Sequence, residues 1–349
     1  YLCDRFLQLD VGDASALDGA LMSVDLVIPA LEDQVALGRL VQWGAERGVP
    51  VAFDPKAYAL TRSKIASNRL IASLGTPAPE SWPRCGFPIV AKPSGASGSE
   101  GVVVLENESD VGHVFPNGLP DDGWVFEQYL DGPSFSLEVI GRPGDYLPLQ
   151  VTELFMDDGY DCKAVAAPCR LSSRQVREIE TVGVTLADAI GLTGLMDVEV
   201  IFHDGCFKVL EIDARFPSQT PMAVYHSTGG NMLEMLAHVY LTGGSPRRPP
   251  SAPLRGVILE HLRVIDGTIF LEGEHIMAQA GPLHRMPGFC GADEAITNYR
   301  DGARQWVATM IISGRTRRHA EHRREQVRAA FQQRFHIDTI VDRLPEAST

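Results

Sequence analysis

Apolar residues fall in short runs whose period changes along the chain, and the changes mark the elements. Val24-Asp25-Leu26-Val27-Ile28-Pro29 has the length and apolar content of a buried strand. Over residues 34–47, Val35, Leu37, Leu40, Val41 and Ala45 recur at roughly helical spacing, and Gly48 ends the pattern. Val49-Pro50-Val51-Ala52-Phe53 reads as the next strand. Strand, helix, strand is a parallel α/β unit. The chain opens on a loop, where a doubly wound domain starts with a strand and a glycine-rich turn. An initial strand–helix–strand is therefore expected to be missing.

Further along, a helix is expected over 61–73, closed by Gly75 and Pro77. Residues 86–93 form a strand carrying Lys92, followed by Gly95, Gly98 and Gly101, and 102–105 resumes as a strand. A helix start at 107–113 precedes strands at 125–130, 135–141 and 147–155, with Asp131-Gly132-Pro133 as a turn. The pattern over 172–190 places Val176, Ile179, Val182, Leu186 and Ile190 on one side of a helix. Strands at 196–202 and 207–213 flank His203-Asp204-Gly205. A helix at 230–241, a Gly/Pro-rich linker at 244–253, strands at 255–263 and 306–312 and a last helix complete the chain.

Composition narrows the class. A chain of 349 residues exceeds one small core and implies two or three packed units. At 44% hydrophobic and 22% charged residues it is ordinary globular protein, not a disordered one. No apolar run approaches the ~20 residues that span a bilayer, and the start shows no secretory signal. The six cysteines are scattered without a CxxC pair, which points to reduced thiols rather than a disulfide framework or zinc knuckle. A net charge of −14 opposes nucleic-acid binding. The expectation is a soluble, cytoplasmic enzyme with small-molecule substrates and neither a nucleic-acid nor a membrane partner. The basic run from Arg315 to Arg334 does not change this, because Val327, Phe331 and Phe335 recur at i, i+4 and i+8 as the buried stripe of a solvated helix.

The densest chemistry is Asp197-x-Glu199 followed by Glu211-Ile212-Asp213-Ala214-Arg215. Residues i and i+2 of a strand share a face, so each strand offers two carboxylates on one side. A two-residue Asp-Gly turn would put Glu199 and Glu211 on opposite faces. A three-residue loop, His203-Asp204-Gly205, puts them together, and that loop is the expectation, since it lets the acids share a magnesium ion. A solvated hairpin of alternating charge is the alternative. A second feature is Lys92 with the loop Pro93-Ser94-Gly95-Ala96-Ser97-Gly98-Ser99-Glu100-Gly101, whose small residues let backbone N–H groups approach phosphates. It is neither a P-loop nor a Rossmann fingerprint, and a plain flexible turn is its bland reading. His226 and His261 lack metal-ligand spacing to another His or Cys.

In order, Lys64, Gly86-Phe87-Pro88-Ile89-Val90-Ala91-Lys92 with its glycine loop, Glu127-Gln128-Tyr129-Leu130, Glu199 and Glu211-x-Asp213 resemble the ATP-grasp superfamily over nearly the whole chain. The resemblance implies an α/β ATP-grasp fold, two α+β subdomains gripping ATP, behind a truncated doubly wound parallel N-terminal domain. It implies boundaries at 1–60, 61–132 and 133–349. A closer likeness runs through Gly194-Leu195-Met196-Asp197-Val198-Glu199, the block from Glu211 to Pro221, Tyr160-Asp161-Cys162 and Glu260-His261-Leu262. Those stretches, with Phe53-Asp54-x-x-Ala57-Tyr58 and Ile28-Pro29-x-x-Glu32, resemble the pyrrolysine-biosynthesis ligases, which join 3-methylornithine to L-lysine. One departure is the glycine-rich N-terminal motif of that family, absent from this sequence.

By this resemblance Lys64 and Lys92 hold the ATP phosphates with Ser97 and Gly98, and Glu127, Gln128, Tyr129 and Leu130 meet the adenine. Glu199, Glu211 and Asp213 bind Mg²⁺, Asp213 standing where many members have Asn, and Asp197 competes with Glu199 for that role. Lys92 and Arg215 serve catalysis, Arg215 steadying an oxyanion or a substrate carboxylate, with a structural partner for the acids as its plainer role. Glu32 grips lysine, and Tyr160, Asp161, Ser218 and Gln219 face the ornithine-like substrate. Another ATP-grasp ligase, or a homologue that binds without ligating, are the competing readings.

Overall fold

Alternation along the strands decides which surface carries chemistry. The computed structural model describes residues 7–21, 23–120, 122–246 and 253–345. A small antiparallel sheet is built from β1 (Ile89–Pro93), β2 (Val103–Leu105) and β3 (Trp124–Gln128), in the order β2-β1-β3. Its apolar face packs Ile89, Ala91 and Leu105 against Trp82, Phe115 and Phe126.

The larger sheet has twelve described strands. These are β4 (Ser134–Arg142), β5 (Asp145–Pro148), β6 (Thr152–Met156), β7 (Cys162–Ala167), β8 (Gly194–His203), β9 (Cys206–Asp213), β10 (Gly256–Ile265), β11 (Thr268–Leu271), β12 (His284–Pro287), β13 (Glu294–Thr297), β14 (Gln305–Gly314) and β15 (Thr339–Asp342). The main path runs β12-β13-β14-β10-β7-β6-β4-β8-β9, all of it antiparallel, with β5 beside β4 and β11 beside β10. On β4 and β8, Phe135, Leu137, Val139, Met196, Val198 and Val200 point to a core that also holds Ile179 and Leu186 of the helix Ser173–Ala189. Residues between them point the other way, and they are Ser136, Glu138, Asp197 and Glu199. One face of these strands therefore forms core and the other a wall of carboxylates.

The helices begin and end where their caps lie. Asp33 caps Gln34–Arg47, which closes at Gly48 in the left-handed region (φ 70°). Ser63 caps Lys64–Ser73, and Ser172 with Gln175 forms a capping box on Ser173–Ala189. The N-terminal strands expected at 24–29 and 49–53 shrink to a single parallel bridge, Val27 to Val51. Among the described residues they pair only with each other, which is too little ladder to extend. The expected linker at 244–253 falls partly on residues 247–252, which lie outside the described residues. The basic stretch is the helix Arg317–Phe335, with Val327 and Phe331 buried and Arg324 and Arg328 both paired to Glu260. No described helix is long and apolar enough to cross a membrane.

His261 on β10 has a consequence for stability. The ring is buried, Nδ1 lies 2.8 Å from Thr309 Oγ1, and Nε2 has no hydrogen-bond partner. Burial pushes its pKa down to about 4, against the pull of Glu260. The unfolded chain takes up a proton that the fold refuses, so stability is lost as pH falls from the ordinary histidine range towards 4, at about 1.4 kcal/mol per pH unit for this group. We expect the urea midpoint to drop between pH 7 and pH 5, and His261→Gln to flatten that slope. Equal slopes in both proteins would contradict the assignment.

Candidate functional site

The acids meet because of one extra residue. The β8–β9 turn has two residues, Asp204 (φ 49°) and Gly205 (φ 79°), between paired His203 and Cys206. It is not the expected three-residue loop. Positive φ at both positions is the geometry that matches strand twist in a two-residue hairpin. That turn alone would place Glu211 opposite Val198, facing the core. Instead the register shifts: Val200 pairs with Val209 and Glu199 pairs with Glu211, leaving Leu210 as a bulge. Every residue beyond Leu210 changes face. Glu211 and Asp213 join Glu199 and Asp197, to which they are directly opposite.

β4 completes the wall, since Ser136 pairs with Glu199 and Glu138 with Asp197. The result is two cross-strand rows, Ser136–Glu199–Glu211 and Glu138–Asp197–Asp213. Ser136 Oγ donates to Asp197 at 2.8 Å and lies 3.2 Å from Glu138. Burial is the largest cause pushing the carboxyls of Glu138, Asp197 and Glu199 upward, and their mutual proximity adds to it for Glu138 and Glu199. Asp213 rises to about 7, again through burial, with Arg215 pulling the other way. Glu138 and Asp197 have no ion-pair partner among the described residues. Glu138 Oε2 and Asp213 Oδ1 are buried without any hydrogen-bond partner.

Cations border this wall. Lys64, at the start of its helix, donates to Glu211 at 2.7 Å and to the Ala96 carbonyl at 2.6 Å. Lys92 on β1 donates to Glu127 on β3 at 2.6 Å, and Asn68 donates to the other oxygen at 3.1 Å. Burial works against the charge on Lys92, but Glu127, Glu211 and Glu199 outweigh it and raise the pKa. Arg215 reaches Asp213 at 2.7 Å and Glu32 at 2.6 Å, and these acids likewise outweigh burial and raise it.

Two cavities share this wall. The first lies between the sheets and is lined by Lys64, Lys92, Gln128, Tyr129, Leu130 and Val104, among others. The second is lined by Glu32, Asp197, Asp213, Arg215, Ser218 and Gln219, among others. Ser99, Met156, Tyr160, Glu199 and Glu211 belong to both. Every residue to which the resemblance gives a site role lies at one of the two cavities, with three differences in detail. Ser97 and Gly98, expected at phosphates, line the second cavity, and Ser97 hydrogen-bonds Glu32. The carboxylate of Glu127, expected at adenine, is taken by Lys92 and Asn68. Asp161, expected on substrate, spends its carboxylate on the N–H groups of Cys162 and His275 and on the His275 ring. Ser136 and Glu138 went unnoticed; the signal was one acid and one hydroxyl on a strand of otherwise apolar alternation.

The ATP-grasp domain family matches residues 61–219. A 3-methyl-D-ornithine–L-lysine ligase of Methanosarcina mazei is 32% identical over 318 residues, which covers 90% of this chain and 80% of that protein. Its counterpart in Methanosarcina acetivorans is 31% identical, covering 90% of this chain and 82% of the relative. Among solved structures, a biotin carboxylase–β,γ-ATP complex from Campylobacter jejuni superposes with a TM-score of 0.69. It is 16% identical and covers 89% of this chain and 76% of that one, a likeness of fold.

The buried pair Lys92–Glu127 is testable without any ligand. Glu127→Ala leaves a buried ammonium unpaired and should destabilise the protein by about 3–5 kcal/mol. Glu127→Ala with Lys92→Met should recover most of that loss in denaturant unfolding. An equal loss in single and double variants would show that the pair's charge is not what Glu127 serves.

Proposed function

We propose that this chain, which belongs to the ATP-grasp superfamily and within it to the family of the 3-methyl-D-ornithine–L-lysine ligases, spends ATP to join those two amino acids. The observation that carries the reading is the shared wall. Glu199 and Glu211 face both cavities, so a nucleotide in the first and a carboxylate in the second meet at the same acids.

Oxygen-only ligands beside two lysines, with Asp213 Oδ1 buried and unpartnered, suit Mg²⁺, which favours carboxylates plus phosphates. Held by Glu199, Glu211 and Asp213, the ion would neutralise charge on the transferring phosphoryl group. The first cavity takes ATP. Lys92, aimed by Glu127, and Lys64, released from Glu211 when phosphates arrive, hold the triphosphate as point charges. A carboxylate oxygen of the ornithine attacks the γ-phosphorus and ADP leaves. The neutral ε-amine of lysine then attacks the acyl carbon and phosphate leaves. Arg215 stabilises the oxyanion between those events, and no side-chain nucleophile is needed.

The second cavity is over-supplied with acids, which fits two diamino acids. Glu32 lines it, ion-paired to Arg215 at 2.6 Å; we assign the α-ammonium of lysine to Glu32, which leaves Arg215 for the oxyanion. Asp197 lines this cavity with no ion pair of its own among the described residues, and Glu138 is buried behind it, linked through Ser136. We assign Asp197 the side-chain ammonium of the ornithine, with Tyr160, Ser218 and Gln219 completing the pocket.

ADP release that requires both amino acids, with a product whose mass is their sum less water, is the expected result with 3-methyl-D-ornithine and L-lysine. ADP release without amide would sink the ligase reading. Asp197→Asn should cut the preference for D-ornithine over D-norvaline, measured as kcat/KM, by about tenfold or more while leaving the KM for ATP near wild type. A raised Mg²⁺ requirement with unchanged preference would instead make Asp197 a metal ligand.

A further inference from the structure

Between β6 and β7 the chain turns through residues 157–161 on an unusually complete polar frame. Asp157 is 4% exposed and accepts three backbone N–H groups, from Gly159 at 2.8 Å, Asp161 at 3.0 Å and Gly273 at 2.8 Å. Asp161 accepts from the N–H of Cys162 at 2.9 Å and of His275 at 3.1 Å, and its carboxylate meets the His275 ring at 2.5 Å. A Cβ on Gly273 would stand 2.1 Å from the Asp161 carboxyl carbon, so only glycine fits beside it. Ligand atoms of Asp157, Asp161 and His275 lie within 4.8 Å of one another. Their oxygens already receive backbone donors, however, so the cluster frames a turn.

What the frame holds is Tyr160, at a left-handed φ of 63° that a tyrosine adopts only under constraint. Its N–H donates to the Asp157 carbonyl at 3.1 Å. Tyr160 lines both cavities, and its own carbonyl accepts a hydrogen bond from Ser99 Oγ at 2.6 Å. Ser99 belongs to the glycine loop after Lys92, which reaches the large sheet's side of the cleft through this bond.

We propose that Asp157 is a positioning residue: it fixes the Tyr160 carbonyl as the dock on which Ser99 closes the glycine loop over the seam between the two cavities. The inference rests on the ligase reading for its chemical consequence. An acyl phosphate at that seam is open to a wasteful reaction, in which water oxygen bonds the acyl carbon, phosphate leaves and the carboxylate is regenerated. A docked loop excludes that water. Docking therefore sets how many ADP molecules are spent per amide formed.

The test uses the full chain and Ser99→Ala, Ser99→Gly and Asp157→Asn. Asn offers one acceptor oxygen where Asp157 uses two. Alanine is strained at the Ser99 φ of 59° and glycine is not, so the two together separate the hydroxyl from the backbone. At saturating ATP and both amino acids we expect ADP per amide to rise roughly fivefold or more in all three variants, and the double variant Ser99→Ala/Asp157→Asn to add little further. Hydrogen exchange of residues 93–101 gives a second readout. A non-hydrolysable ATP analogue should protect this loop in the wild type and much less in the variants. An unchanged ratio with unchanged protection would overturn the dock, as would an effect in Ser99→Ala that Ser99→Gly lacks. Should wild type make no amide while the variants still lose protection, the ligase reading fails and the dock stands.

Discussion

Everything at the site depends on one bulge. Leu210 stands unpaired in the β8–β9 ladder, and it is the reason Glu211 and Asp213 share a face with Asp197 and Glu199. Strand side chains alternate with a period of two, so one inserted residue reverses all that follow. Without it Glu211 and Asp213 would enter the core beside Val198 and Leu137, where neither could stay charged. The fold and the chemistry are thus set by the same strands, with apolar residues of one parity in the core and acids of the other parity in the cleft.

Concentrating so many carboxylates on one buried face has a cost that the structure meets with cations from other elements. Lys64 comes from a helix after the N-terminal unit, Lys92 from the small sheet, and Arg215 from the chain just past β9. Glu32 reaches in from the N-terminal unit to the far side of Arg215. Charge balance therefore ties every unit to the cleft. Glu138 and Asp197 are the exception, forming no ion pair among the described residues, with Arg215 acting on Asp197 only without contact.

Much of this was legible in the sequence, for identifiable reasons. The helices Gln34–Arg47 and Ser173–Ala189 announce themselves by apolar spacing, and Lys64–Ser73 by the Gly75 and Pro77 that close it. The acids of the hairpin were visible as alternating residues. The means by which they converge was not. A three-residue turn and a two-residue turn with a bulge bring the same residues together, and the trace that separates them is the doublet Val209-Leu210, where alternation breaks. The roles of Glu127 and Asp161 were hidden for a different reason. A carboxylate's partner is set by tertiary contact, with Lys92 thirty-five residues away in one case and His275 more than a hundred away in the other. Ser136 and Glu138 stood on a strand that looked structural, and only pairing with β8 gives them neighbours that matter.

Whether ATP and a carboxylate meet across Glu199 and Glu211 to form an acyl phosphate can be read from the fate of one oxygen. The donor amino acid is labelled with ¹⁸O in its carboxylate, in a complete reaction with ATP and lysine, and the released phosphate is read by ³¹P NMR. Transfer through an acyl phosphate predicts one labelled oxygen in each phosphate that accompanies an amide. Unlabelled phosphate formed alongside amide would rule out an acyl phosphate.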